Sequence, residues 1–523
     1  MFCSTFTLLL AFVVFGQCSP STYQNPILWE DTADIDVIRI NDTFYYSASS
    51  MHYSPGAPIL RSFDLVNWEF VGHSVPVLDF PSDDSHYDLL GGQAYVQGVW
   101  ASFFKYRESN NLFYWGGCID FNYTYIYTAS SVEGPWEQVA VVDTCYYDCG
   151  MLIDDDDTMY VSYGSTNINV AQLSEDGLSQ ISTQVVFESP SDIGYIEGSR
   201  FYKVNGNYYI LVTHPADAEY VLMSTSGPFG PYSIQALVDG LSGPISGGGY
   251  SHQGGIVDTA SGDWYYLAFQ DAYPGGRVPV LAPIEWGPDG FPVLQAVDNT
   301  WNVSYPFPNV PAPLYTVKSP TGIDSFQGTS LGPEWEWNHN PDNTKWSVSN
   351  GLCLQTATIT NDLYAARNTL THRILGPSST ATIMLDFSSM ADGDRAGLTL
   401  LRDYSGWIGV KLDSGVAEVV MVTNITMNGT TWDTIDTGTE TANTPVSGSQ
   451  IWLRASVNIA PGVDDVGDFS YSFDGTNFAS LGVTFVLDSD WEFFMGYRFG
   501  IFNYATKALG GSVNVVSFEL STP

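Results

Sequence analysis

Positive charge is what this chain has least of: 17 Lys and Arg stand against 57 Asp and Glu in 523 residues, a formal charge of −40. Such a surface repels phosphate backbones and anionic headgroups, which excludes nucleic acid and membrane surfaces as partners and leaves a neutral polymer such as a polysaccharide. With 44% hydrophobic residues the acidity is not that of a disordered tail. Long helix-period stretches are scarce. Cysteine is sparse, with 6 residues, and Cys145-x3-Cys149 lacks the second ligand pair a zinc site needs. Apolar runs long enough to span a bilayer are missing after the N-terminus, and the run there, Phe6 to Phe15, has only signal-peptide length. Gly16-Gln17-Cys18 supplies a small-x-small cleavage site, so residues 1–18 read as a signal peptide and the product as secreted and extracellular. Sequons at Asn41, Asn122, Asn302, Asn424 and Asn428 agree with export. Once Cys3 and Cys18 leave with the signal, Cys118, Cys145, Cys149 and Cys353 allow three pairings. Cys118 with Cys145 or Cys149 would link neighbouring units, and Cys353 would stay free.

What the chain has in abundance is aromatic residues, 15%, together with 50 glycines, a composition suited to pleated sheets. Three acids, Asp34, Asp148 and Glu197, each stand ten or eleven residues ahead of an aromatic strand: Phe44-Tyr45-Tyr46, Met159-Tyr160-Val161 and Tyr208-Tyr209-Ile210. Trp100 and His252 hold the same phase before Phe113-Tyr114-Trp115 and Trp264-Tyr265-Tyr266. Five turn-plus-strand units at about 45 to 70 residues spacing predict a five-bladed β-propeller over residues 19–304. The fixed-phase residues are expected on the innermost strands, facing the axis, with the aromatic strand outside them. The turn Asp155-Asp156-Asp157 reads as solvated. Asp36 competes with Asp34, since alternate residues share a face of a strand.

Prolines crowd residues 305–322 and mark a linker, since proline cannot donate to a central sheet. Beyond it, period-two segments such as Ala381–Asp386 and Val416–Val422 predict an antiparallel β-sandwich over 323–523. The fold class is all-β, a propeller followed by a concanavalin-like sandwich. The sandwich either binds polysaccharide as a separate module or closes one side of a catalytic pocket. Its aromatics Trp335, Trp337, Trp407, Tyr497 and Phe499 are expected in its core.

Asn25-Pro26-Ile27-Leu28 with Ala33-Asp34-Ile35-Asp36, Tyr147-Asp148-Cys149-Gly150, Ile196-Glu197-Gly198-Ser199-Arg200 and Ser251-His252-Gln253-Gly254-Gly255 resemble the ordered motifs of glycoside hydrolase family 43. Ile35 stands where the family has a proline. Trp335–Asp342, Ala366–Leu370 and Asp392–Gly397 resemble the sandwich appended to its xylosidase and arabinofuranosidase branch. The resemblance implies an inverting glycosidase with Asp34 as general base, Glu197 as general acid and Asp148 as the group that orients and tunes the acid. Such enzymes set the acid and base roughly 6.5–9.5 Å apart to admit a water. Glu197 is then expected to keep its proton through burial and nearby negative charge.

By the same resemblance Arg277 reaches the substrate's hydroxyls and His252 lines the channel, where it holds calcium through water in some members. No cofactor is required; a structural Ca2+ in the channel is the one metal considered. Trp100 either stacks on a sugar or packs its blade. Tyr46–Pro58 and Asp271–Arg277 most resemble secreted fungal α-L-arabinofuranosidases, which act on arabinoxylan, notably on doubly substituted xylose. The expected partner is arabinoxylan or a xylo-oligosaccharide and the expected state a monomer. The alternatives are a β-xylosidase, a bifunctional enzyme, or a secreted lectin without catalysis. The Asn-Asp-Pro-Asn and Arg-Asp-Pro signatures of retaining fructan-cleaving enzymes are absent.

Overall fold

The computed structural model describes residues 21–80, 86–313 and 315–523, so the expected signal peptide lies outside the described residues. Five four-stranded antiparallel sheets succeed one another along the chain. Their innermost strands are Asp36–Ile40, Phe103–Arg107, Gly150–Ile153, Glu197–Val204 and Ser251–Asp258. Each of these touches the next, and the fifth touches the first, which closes a ring around one axis. The ring is fastened where Thr22–Gln24 pairs with Ser304–Pro306. Asn25 reinforces the closure by exchanging two hydrogen bonds with the backbone of Leu281, each 2.9 Å.

The aromatic strands, Thr43–Ser47, Leu112–Ile119, Met159–Tyr163, Asn207–His214 and Trp264–Asp271, are the second strand of each blade, immediately outside the innermost one. Both of their faces pack against neighbouring blades, which is why large side chains such as Tyr46, Trp115 and Tyr266 are buried there. The acidic turn after Ile153 is less solvated than its composition suggests. Lys203 pairs with Asp154 and Asp155, and Arg107 with Asp157, so ion pairs tie this turn to both adjacent blades.

Cys118 and Cys145 form a disulfide across 27 residues, joining the second blade to the loop that opens the third. Cys149 and Cys353 are free thiols among the described residues, the former buried and the latter half-buried.

The C-terminal domain is two sheets facing each other across a continuous apolar core. Trp335, Trp337, Trp407, Tyr497 and Phe499 are all buried. One sheet recruits a strand from the propeller: Tyr53–Ser54, in the loop of the first blade, pairs with Trp337 and Asn338. Around that junction Met51, Tyr53, Tyr95, Tyr364, Trp407 and Phe493 form an apolar cluster shared by both domains. Glu336 lies fully buried beside it and pairs with Arg373 and Arg498 of the sandwich and with His73 of the first blade.

Candidate active site

All five fixed-phase residues fall at one end of the innermost strands, at the mouth of the channel rather than along its wall. Asp34 and Asp148 stand two residues before their strands and Trp100 three, Glu197 opens its strand, and His252 is the second residue of its own. The expectation that all lie on the strands is corrected by backbone geometry. Asp34 and Asp148 adopt left-handed φ of 59° and 47°, a conformation costing of order 1–3 kcal/mol for non-glycine residues and concentrated at functional sites. Gly198 and Gln253 distort the fourth and fifth strands in the same way, with φ of 74° and 45°.

Asp34 is buried, and each of its carboxylate oxygens has a donor. Arg277 Nη1 reaches Oδ1 at 3.0 Å and Ser49 Oγ reaches Oδ2 at 2.5 Å. Asp36 does not share this face. It is fully buried toward the second blade, where Lys105 Nζ and the backbone N–H of Phe104 hold it at 2.7 and 2.8 Å. Its role is to join two blades.

Glu197 accepts two phenol protons on Oε2, from Tyr147 at 2.6 Å and Tyr195 at 2.8 Å. It is half-buried, and the deeper burial expected of it falls on Asp148 instead. Asp148 is pushed well above the usual carboxylate range, first by burial, then by the charges of Glu197 and Asp34, with Arg200 and Arg277 pulling the other way. The three acids are thus close enough to feel one another, and burial falls most heavily on Asp148.

Arg200 explains how the acids are held. Fully buried, it donates to the carbonyls of Asp34 at 2.5 Å, Ile35 at 2.9 Å, Cys149 at 3.1 Å and Ser199 at 2.8 Å. One guanidinium therefore fixes the backbone beside each acid, from three different blades. Its planar fork of five donors suits this, and an ammonium would not. Cys149, beside Asp148, donates its thiol to Gly116 O and is pushed up to about 12 by burial, so it is inert.

Arg277 lies under the sandwich as well as beside Asp34. Its Nε donates to Phe494 O at 3.0 Å, and its guanidinium lies over the Phe269 and Phe494 rings. Asp271 is pushed up to about 6 by burial, against the pull of Arg277. Trp100 is half-buried between Phe494, 5.2 Å away between ring centres, and Phe121 at 6.0 Å. Phe121 is 67% exposed and stacks on Tyr147. From Glu197 an aromatic rim thus runs through Tyr147, Phe121 and Trp100 to Phe494 and the exposed Trp491 of the sandwich. A planar apolar rim beside hydrogen-bonding carboxylates suits a sugar, whose axial C–H face is apolar and whose edge is polar.

His252 is buried, edge-on to Phe269, with Nε2 3.6 Å from Asp271, and burial holds its pKa down at about 3. Among the described residues no cluster of three or more His, Cys, Asp or Glu is arranged to hold a metal.

Ser49, Tyr147, Tyr195 and Arg200 are the residues that sequence reasoning left without a role. Tyr147 and Tyr195 were detectable in principle, as aromatics one and two residues ahead of an acid. Ser49 and Arg200 act on groups distant in the chain and carry no local signature.

A radial β assembly with three converging carboxylates and an aromatic rim defines a glycosidase. The chain belongs to glycosyl hydrolases family 43, whose model matches residues 23–292, and residues 323–521 match the β-xylosidase C-terminal concanavalin A-like domain. A β-xylosidase of Formosa agariphila is 26% identical over 96% of this chain and 90% of its own length. A non-reducing end α-L-arabinofuranosidase of Bacteroides ovatus is 26% identical over 73% of this chain and 74% of its own. A solved family 43 structure, described as engineered at its active site to display both endo-xylanase and exo-arabinofuranosidase activity, is 46% identical. It superposes with a TM-score of 0.92 over 96% of this chain and 100% of its own.

Proposed function

We propose that this glycoside hydrolase removes α-L-arabinofuranosyl side chains from arabinoxylan, with inversion at the anomeric carbon, after export from the cell. In this reading Asp34 is the general base that activates water and Glu197 the general acid that protonates the leaving oxygen. Asp148, whose carboxyl is pushed upward by burial and then by the charges of Glu197 and Asp34, orients and tunes the acid. The observation that carries the reading is the asymmetry of the two outer carboxylates. Asp34 is gripped by a cation, which suits an ionised base, whereas Glu197 is held by two phenols on one oxygen beside the aromatic rim. Arabinose is supported by the 46% identity to a solved family 43 enzyme that, engineered at its active site, displays exo-arabinofuranosidase activity beside endo-xylanase activity.

A β-xylosidase or bifunctional enzyme is the second reading, favoured by the match to the Formosa agariphila β-xylosidase along nearly the whole chain. The two pentoses differ by contacts worth only about 1–3 kcal/mol. The deciding experiment presents nitrophenyl α-L-arabinofuranoside, nitrophenyl β-D-xyloside and arabinoxylan, and identifies the released sugar. Proton NMR of the first-formed product reads the anomer. Retention of configuration would contradict the mechanism, and binding without turnover would favour a lectin.

A further inference from the structure

Besides its aromatic contribution to the rim, the sandwich reaches the site through a buried residue of the propeller chain, Asp31. We infer that Asp31 is a positioning residue that locks the sandwich loop 494–497 onto the hairpin 274–277, and thereby sets Arg277 against Asp34. The inference rests on the reading of Asp34 as the reacting base.

Asp31 is buried, and both oxygens of its side chain accept backbone N–H groups from different domains. Arg277 N donates to Oδ1 at 2.8 Å and Gly496 N to Oδ2 at 3.1 Å. Its own carbonyl accepts from Nε of Arg373, a sandwich residue, at 2.8 Å. The two loops then bond directly, Tyr497 N to Pro274 O at 3.1 Å and Arg277 Nε to Phe494 O at 3.0 Å. They approach at backbone distance: a Cβ on Gly496 would lie 2.2 Å from Gly275 O, and one on Gly276 2.5 Å from Asp31 Cγ. An unbroken series of hydrogen bonds therefore runs from the sandwich through Asp31 and Arg277 to the Oδ1 of Asp34.

Only a carboxylate fits this position. It presents two acceptors to two N–H donors, and bonds between a charged group and backbone N–H are stronger than neutral ones. An amide of the same shape offers one acceptor and turns its NH2 on the other donor, so one domain must give way. Because the second domain is locked in this way, the pocket around Asp34 is complete only with the sandwich docked.

The test uses the full chain carrying Asp31→Asn and, separately, Gly496→Ala. Displacing Arg277 by a fraction of an ångström to 1 Å is expected to lower kcat on nitrophenyl α-L-arabinofuranoside by up to about 100-fold. The loss should fall on kcat and persist at saturating substrate, as expected when a group beside the reacting centre is misplaced. Hydrogen exchange, followed by mass spectrometry, should quicken in the peptides containing Arg277 and Gly496 and nowhere else. An active parent whose kcat is unchanged in both variants, or falls only in step with thermal stability, would overturn the inference. Should the parent cleave no pentoside, the functional reading fails on its own. The lock is then judged by exchange alone, and unchanged protection of both peptides in the variants overturns it.

Discussion

Tyr147 and Glu197 come from different blades and meet through one hydrogen bond, the phenol donating to Oε2 at 2.6 Å, with Tyr195 donating to the same oxygen. Those two donors fix the carboxyl by groups that bind an amide oxygen equally well, so Glu197→Gln should fold as the parent does. Its turnover should fall by roughly 10²–10⁴-fold, the usual contribution of a positioned proton donor. The loss should shrink on nitrophenyl substrates, whose leaving group needs little protonation. Asp34→Asn should lose as much whatever the leaving group. Measuring kcat for both variants on nitrophenyl and natural glycosides separates the two roles.

Asp148 yields a prediction about stability. Burial, then Glu197 and Asp34, raises its native pKa well above that of the unfolded chain, so the native state binds the extra proton. Stability contributed by this group is therefore present below the unfolded value of about 4 and is lost as pH rises from there through the native value. Asp148→Asn should be less active yet more stable at neutral pH, by roughly 0.5–2 kcal/mol, the range common when a strained functional residue is replaced. Urea denaturation at pH 4 and pH 8 reads the difference, and a gain that is equal at both would contradict the cause given.

Glu336 behaves in the opposite sense. Burial alone would push it up, but Arg373 and Arg498 more than offset that and hold it well below the usual range. Its contribution is present above the unfolded value and is lost as pH falls through the native one. Glu336→Gln leaves two buried guanidinium groups without their counter-charge and should cost about 3–5 kcal/mol. Thermal unfolding followed by calorimetry is the check.

Cys118 and Cys145 close a loop of 27 residues between the second and third blades. Chain-entropy reasoning assigns such a link about 3–4 kcal/mol. Cys118→Ala should lower the unfolding midpoint. Mass mapping of the parent without reduction should show this linkage and, among the described residues, two alkylatable thiols, Cys353 reacting ahead of Cys149.

The propeller was legible because the aromatic strands recur, and they recur because each fills the wedge between blades with the same large side chains. Asp34, Asp148 and Glu197 were legible through that same phase. What escaped the sequence depends on direction rather than spacing. Asp34 and Asp36 alternate as strand neighbours do, yet the left-handed turn at Asp34 aims one carboxylate at the channel mouth and leaves the other against Lys105. Asp148 stands in the same phase as Glu197 but takes the deeper burial, a property of how the third blade seats against its neighbours. Arg200 satisfies carbonyls from three blades, and no one-dimensional pattern foretells that.

The two-residue strand Tyr53–Ser54 bears on how this architecture can be divided. A truncation at the proline-rich strap severs the covalent chain but not the sheet, whose edge is supplied from the other side of the cut. A propeller expressed alone would present that segment and the apolar surface around Tyr95 to water, and a sandwich expressed alone would offer an unpaired edge at Trp335–Asn338. Each half is an aggregation hazard without the other. Shuffling the catalytic ring onto a different accessory module therefore requires the loop of its first blade to travel with the sandwich or be redesigned.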